Sequence, residues 1–298
     1  MKLSILLVSH NHEQFIQECV EGIIIQNLPF EYEIIVADDF STDNTLNIIR
    51  ESLDKAKMNY RILPSTKNLG QKKNRKRSFE ACRGEYIATL DGDDYWTSPN
   101  RLLNHISFLD NHRECVLSFN PFIKKVEKKS KFEIPKWDGN NDFEYITANE
   151  MALNNHIGNM SVCVFRHSVL KTMDEKLLDM GFADWFLGLY FGQYGLLAKQ
   201  KEPTSVYRIH AKGAWQGKNP EDKRDRILEL VDLYNTILDY KYNTEFQQLR
   251  LKTLSSCNTK KKLFSYHNIK SFIPPILILL VKLFIPIRIL KFMKRKLK

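Results

Sequence analysis

Apolar and polar positions along the first third of the chain alternate between two periods. Leu3 to Val8 is an unbroken apolar run, as expected of a strand buried on both faces. Phe15, Cys19, Val20, Ile23 and Ile24 then recur at helical spacing. Glu33 to Ala37 and Tyr60 to Leu63 predict a second and a third strand. Between them, Asp43 to Leu53 predicts a helix with Leu46, Ile49 and Leu53 on one face and Ser41 or Thr42 as its N-cap. Arg75 to Cys82 predicts a helix ended by Gly84, and Tyr86 to Leu90 a fourth strand. Arg101 to Asn111 reads as a helix and Val116 to Phe119 as a strand. Lys124 to Lys136 is charged and irregular, which predicts a surface loop. Pro220 to about Leu254 is helical in pattern and is expected to pack behind the preceding domain.

Strands alternating with helices predict an α/β fold, a mostly parallel sheet covered by helices. In such sheets ligands sit beyond the carboxyl ends of the strands. Three polar clusters fall there: Ser9-His10-Asn11 after the first strand, Asp38-Asp39 after the second, and Asp91-Gly92-Asp93-Asp94 after the fourth.

Charge changes the picture at the other end. The formal net charge is +10 over 298 residues, yet Asn258 to Lys298 carries 11 Lys and Arg and no acid. The remainder holds 34 basic and 35 acidic residues, so it is near neutral and lacks the basic stripe of a nucleic-acid binder. An anionic partner is expected for the tail, and a membrane surface suits it. The five cysteines are scattered and odd in number, so neither a disulfide framework nor a zinc knuckle is expected. The opening MKLSILLVSH is too short for a signal peptide and has no cleavage site, and a reducing cytoplasm is the expected setting. GxxxxGK[ST] is absent, which excludes a P-loop kinase or ATPase.

Asp91 and Asp93 are two carboxylates two residues apart at a strand end. They suit one hard cation, Mg²⁺ or Mn²⁺, whose open positions take phosphate oxygens. An Asp-rich turn closing a strand is the competing reading, and the position after a buried strand favours the cation. Asp38-Asp39 can accept hydrogen bonds from a base or ribose, while Ser41-Thr42-Asp43 behind it suits helix capping. Asn68-Leu69-Gly70 offers a tight turn and Arg75 a phosphate partner. The neighbouring Lys72, Lys73, Lys76 and Arg77 equally suit a solvated basic helix face. His10, His12 and His156 read as surface or polar core. Trp96, Trp137, Trp185 and Trp215 read as packing residues, with Trp185 also placed to stack on a sugar.

Taken together, SILLVSHNHEQFIQECVEGIIIQ, EIIVADDFSTDNT, NLGQKKNRKRSFEACRGEYIATLDGDDYW and SPNRLLNHISFLDNHRECVLSF resemble family 2 glycosyltransferases of the GT-A fold, in order and spacing. NMSVCVFRHSVL resembles that family's acceptor-side strand, FADWFLGLYFGQYG its base-bearing segment, and VYRIHAKGAW its C-terminal His segment. The resemblance covers roughly residues 1 to 215. It implies that Asp38 and Asp39 lie near the base and ribose, and that Asp91 and Asp93 form the metal motif with Asp93 the direct ligand. Arg75 would lie near the nucleotide, Asp184 would be the general base, and His210 would sit near the diphosphate or metal. Ser9, Asn11, Asn68, Gly70 and Gly92 complete the implied donor-binding set. Two departures stand out: Ala183-Asp184 where the family often has Glu-Asp, and Arg75-Lys76 where it often has Arg-Asn. The implied chemistry is a single inverting displacement from a nucleotide-sugar, UDP- or dTDP-linked, to a glycan or lipid-linked glycan. The metal and nearby cations neutralise the diphosphate, and Asp184 takes the acceptor's proton. An inactive nucleotide-binding scaffold of the same family is the alternative. A nucleotide-sugar pyrophosphorylase is disfavoured, because Ser9-His10-Asn11-His12 stands where its glycine-rich loop would be.

The expected organisation is therefore a catalytic domain over 1–218, a helical extension over 219–257 and a membrane-associating tail over 258–298. Within the tail, Phe272 to Val281 is apolar but short for a membrane span. Arg288, Lys291, Arg295 and Lys298 recur on one helical face, and Leu283, Ile287 and Leu290 on another. That pattern predicts an interfacial helix holding the enzyme peripherally at the inner face of the membrane. A partner-binding helix and a re-entrant segment are the other readings.

Overall fold

The computed structural model describes residues 1–179, 183–211, 213 and 218–255. Its contacts divide the chain into a unit Met1–Leu251 and a second, Lys252–Lys298. The basic apolar tail, with Cys257, lies outside the described residues.

In chain order the first unit runs β1 (Leu3–Ser9), α1 (Ile16–Ile24), β2 (Tyr32–Asp38), α2 (Thr45–Lys55), β3 (Tyr60–Ile62), α3 (Gln71–Glu80), β4 (Tyr86–Asp91), β5 (Tyr95–Trp96), α4 (Arg101–Asn111) and β6 (Cys115–Phe119). There follow β7 (Ile123–Val126), β8 (Lys131–Glu133), β9 (Phe143–Ile146), α5 (Ala148–Leu153), β10 (Cys163–Arg166), α6 (His167–Leu170), α7 (Glu175–Asp179) and α8 (Asp184–Phe191). β11 (Leu196–Gln200), β12 (Ser205–Ile209), α9 (Pro220–Ile237) and α10 (Asn243–Ser255) complete the described elements.

The main sheet has eight strands in the order β3-β2-β1-β4-β10-β6-β11-β9. β3, β2, β1 and β4 are parallel, as are β6 and β11, while β10 runs antiparallel between β4 and β6. All of β1 is buried, as its unbroken apolar run predicts. Its side chains alternate between two cores. Leu3, Ile5 and Leu7 pack with α1, α2 and α4, and Leu6 and Val8 pack with α3, α5 and α8 on the other face. Val231, Tyr234, Leu238, Tyr242 and Phe246 of the last two helices and their connection belong to that second core.

Two local expectations fail. The segment 124–136 is not an irregular loop: β7 and β8 form a hairpin, and β7 pairs in parallel with β12 in a smaller sheet ordered β5-β12-β7-β8. Backbone pairing with a strand some 80 residues away holds it, so no alternation of side chains is needed to mark it. The cap of α2 is Asn44, without a side-chain bond, and neither Ser41 nor Thr42 serves. Ser41 is engaged instead with Asp38. Among the described residues no helix is long and apolar enough to cross a membrane.

Candidate active site

The carboxyl ends of β1, β2 and β4 bring the three polar clusters to one sheet edge, because these strands are adjacent and parallel. There the loops are tied to one another. Asp38, buried at the end of β2, accepts from Ser9 Oγ at 2.9 Å, from the Ser41 amide at 2.8 Å and from Ser41 Oγ at 2.6 Å. Asp39, also buried, accepts from the amides of Leu69 and Gly70 at 2.8 and 2.9 Å. Asn68 Oδ1 accepts from the same Gly70 amide, and Gly70 has φ +81°, a conformation that favours glycine. Asn11, at φ +54°, accepts from the Thr42 amide through its side chain at 2.8 Å. The acidic pair therefore ties the loops after β1, β2 and β3 together.

After β4, Gly92 allows a close approach. A Cβ there would stand 2.8 Å from His12 Nδ1 and 3.1 Å from Ser9 Cβ. Asp91 and Asp93 then diverge. Asp91 Oδ1 accepts from Arg75 Nη2 at 2.7 Å. Asp93 Oδ2 accepts from His210 Nε2 at 3.0 Å, and His12 Nε2 is 4.0 Å away. Burial works against the charge on Asp93, but the His210 hydrogen bond and the His12 charge outweigh it and hold its carboxyl below the usual range. Burial pushes His12 down, against the opposing pull of Asp93 and Asp91.

A carboxylate oxygen and an imidazole nitrogen can both ligate one divalent cation. Among the described residues no three His, Cys, Asp or Glu converge to hold a metal by themselves. A cation held by Asp93 and His210 would have positions open to phosphate oxygens. Asp93 and His210 are the facing pair, and Asp91 has one oxygen engaged by Arg75.

Arg75 is 2% exposed, whereas its neighbours Lys72 and Lys73 are exposed, so it does not belong to the solvated face of α3. Its Nε and Nη1 are buried without a hydrogen-bond partner among the described residues. Its charge also acts on Asp184, at the first turn of α8. Asp184 accepts from Asn155 Nδ2 at 2.9 Å. Burial raises its carboxyl, against the opposing pull of the Asn155 bond, nearby amides and Arg75. A buried carboxylate with few partners is a stronger base than a solvated one. Lys76, at the second departure from the family pattern, reaches Glu175 at 2.9 Å and Asp179 at 2.7 Å on α7.

Some of the framework escaped sequence reasoning. Asp94 is fully buried and accepts from Asn159 Nδ2 and Ser161 Oγ at 2.7 Å each, and from the Arg208 amide at 3.1 Å. Burial, and then the neighbouring Asp93 and Asp91, push it well above the usual carboxylate range. Arg208 is buried, donates to the Asp93 carbonyl at 2.8 Å and lies against the Tyr95 ring at 4.4 Å. It also bonds Glu18. Of these residues only Asp94 carried a visible signal, as the last member of the cluster after the fourth strand. His12, read as surface or polar core, stands beside Asp93. Trp185 is not available to a sugar: it is 4% exposed, donates to the Met151 carbonyl at 2.6 Å and packs on Tyr234 and Phe246. Trp215 lies outside the described residues.

An uncharacterized protein of Mycobacterium tuberculosis is 33% identical over 214 residues, 72% of this chain. The chain spans 60% of that relative's length. The poly(ribitol-phosphate) beta-N-acetylglucosaminyltransferase TarS of Staphylococcus aureus is 32% identical over 118 residues, 39% of this chain and 20% of TarS. Among solved structures, S. aureus TarS 1–349 in complex with UDP-GlcNAc superposes with a TM-score of 0.64 at 18% identity, covering 91% of this chain and 78% of that one. Mannosyltransferase PcManGT from Pyrobaculum calidifontis, in complex with GDP-Man and Mn²⁺, gives 0.58 at 16% identity over 85% of this chain and 69% of that one. At these identities the two structures speak for the fold, which is of the GT-A kind. The model of glycosyl transferase family 2 matches residues 4–174, and on that span, which contains the clusters after β1, β2 and β4, the chain belongs to this family.

Proposed function

We propose that the chain is a metal-dependent inverting glycosyltransferase, moving a sugar from a UDP- or dTDP-sugar to a glycan or lipid-linked glycan in surface polysaccharide synthesis. The observation that carries this reading is Arg75, a buried guanidinium ion-paired with Asp91 and keeping two donor nitrogens without partners among the described residues. A buried cation with unused N–H groups calls for an acceptor-rich ligand, and a sugar carried on a diphosphate is one. Asp93 and His210 would hold a divalent cation at the diphosphate end, and that cation would supply positive charge to the leaving oxygens. On the other side Asp184 takes the proton of the acceptor hydroxyl. That oxygen bonds to the anomeric carbon as the carbon–oxygen bond to the diphosphate breaks, and the nucleoside diphosphate leaves. The acceptor class rests on the names of TarS and of the putative teichuronic acid glycosyltransferase TuaG of Bacillus subtilis, 29% identical over 120 residues. The basic apolar tail suits attachment to an anionic membrane, where lipid-linked acceptors reside.

The test is release of UDP or dTDP from a panel of nucleotide sugars, with and without ribitol-phosphate polymer or lipid-linked acceptor. Acceptor-stimulated release supports the reading. Nucleotide binding with no turnover on any donor and acceptor pair overturns it in favour of an inactive scaffold.

A further inference from the structure

Phe40 stands between the acidic pair and Ser41, just past the end of β2. Its φ is +59°, in the left-handed region that a bulky side chain occupies at a cost in free energy. The residue is 45% exposed, so burial of the ring does little to offset that cost. Asparagine or glycine would make the same turn with less strain. Strain kept together with an exposed ring points to a use outside the fold.

Its neighbours fix where it is. Asp39 donates its amide to the Ser9 carbonyl at 2.8 Å and takes the Leu69 and Gly70 amides on its carboxylate. Ser41 Oγ accepts from the Asn11 amide at 2.9 Å. Phe40 therefore sits where the loops after β1, β2 and β3 meet. Under the donor reading, with Asp38 and Asp39 near the base and ribose as the family resemblance implies, that junction is the nucleotide end of the site. Asp38 and Asp39 engage their oxygens largely within the protein, so they leave the face of a flat base uncovered.

We propose that Phe40 is the stacking platform for the nucleobase of the donor, a specificity determinant that rests on the donor reading. An aromatic ring on a base gains affinity from a π-face contact that any base offers. It would therefore set affinity for nucleotide over sugar phosphate, and leave the choice among bases to hydrogen bonds elsewhere.

The test uses the full chain in Mn²⁺ buffer, as wild type, Phe40→Asn and Phe40→Trp. UDP, dTDP, GDP and the base-less ribose 5-diphosphate are titrated calorimetrically. The advantage of nucleotide over ribose 5-diphosphate isolates the base. It should fall about tenfold in Phe40→Asn and persist in Phe40→Trp. Phe40→Asn should keep or raise Tm, since asparagine accepts the turn; a lower Tm overturns the strain premise. An unchanged nucleotide advantage in Phe40→Asn, or an equal loss for ribose 5-diphosphate, overturns the stacking role while the donor reading stands. Wild type that binds none of the four ligands defeats the donor reading and this proposal with it.

Discussion

Nε2 of His210 donates to Oδ2 of Asp93 at 3.0 Å, across 117 residues of sequence. The backbone makes this contact. β12 pairs antiparallel with β5, Ser205 opposite Trp96 and Val206 opposite Tyr95, and β5 directly follows the Asp cluster. The Arg208 amide on Asp94 and the Arg208 guanidinium on the Asp93 carbonyl extend that pairing to within two residues of His210. Phe15 packs on the His210 ring, centroids 4.6 Å apart.

The first prediction concerns this pair. Activity should vanish in EDTA and return with Mn²⁺ or Mg²⁺. Asp93→Ala and His210→Ala should each weaken Mn²⁺ binding in the presence of nucleoside diphosphate, read by calorimetry, and lower turnover by about a hundredfold or more. Undiminished turnover after exhaustive dialysis against EDTA would remove the metal from the mechanism.

Asp184 carries the second. Asp184→Asn should leave donor affinity near wild type and lower kcat by about a hundredfold or more. Because burial raises its carboxyl, the acidic limb of kcat should lie above the ordinary value of 3.8. Asn155→Ala, which removes a hydrogen bond favouring the charged form, should move that limb to higher pH. Stability has a definite sign. A carboxyl raised on folding stabilises fully below its unfolded value and loses that contribution as pH rises through the folded one. Asp184→Asn should therefore raise Tm at neutral pH, with the gain shrinking as pH falls through the folded-state value toward the unfolded one. Lost donor affinity with an intact kcat would show that Asp184 acts on the donor side.

A third prediction is structural. Phe246 is fully buried and packs near Trp185, so Phe246→Ala should cost about 3–5 kcal/mol in denaturant unfolding. A chain ending before Pro220 strips the cover from Trp185 and Phe186 and should not fold stably. A loss below about 1 kcal/mol for Phe246→Ala would mean the last two helices are dispensable.

The tail gives the fourth. The full chain should sediment with vesicles containing anionic lipid. Its 11 positive charges should make part of that binding salt-sensitive, while Ile276 to Val281 and Leu283 to Leu290 resist salt. A chain ending at Ser255 should stay in the supernatant and still turn over a soluble acceptor analogue. Equal sedimentation of both chains would transfer the tail's role to a protein partner.

What the sequence determined by itself is what short-range patterns encode. The run Leu3 to Val8 could only be buried on both sides, the residues of α4 lie where their periodicity puts them, and clusters that end strands must gather at one edge once those strands are parallel. The long-range pairings were decided only in three dimensions. Ser41 looked like a helix cap and instead accepts from the Asn11 amide of the loop after β1; Trp185, read as a packing residue that could also stack on a sugar, is covered by Tyr234 and Phe246. Lys124 to Lys136 looked irregular and became a hairpin on β12. Arg75 and Lys72 look alike in sequence, yet one is buried against Asp91 and the other is solvated. In each case a hydrogen bond or a burial was available from a distant segment, and its free energy exceeded the local preference that the sequence displays.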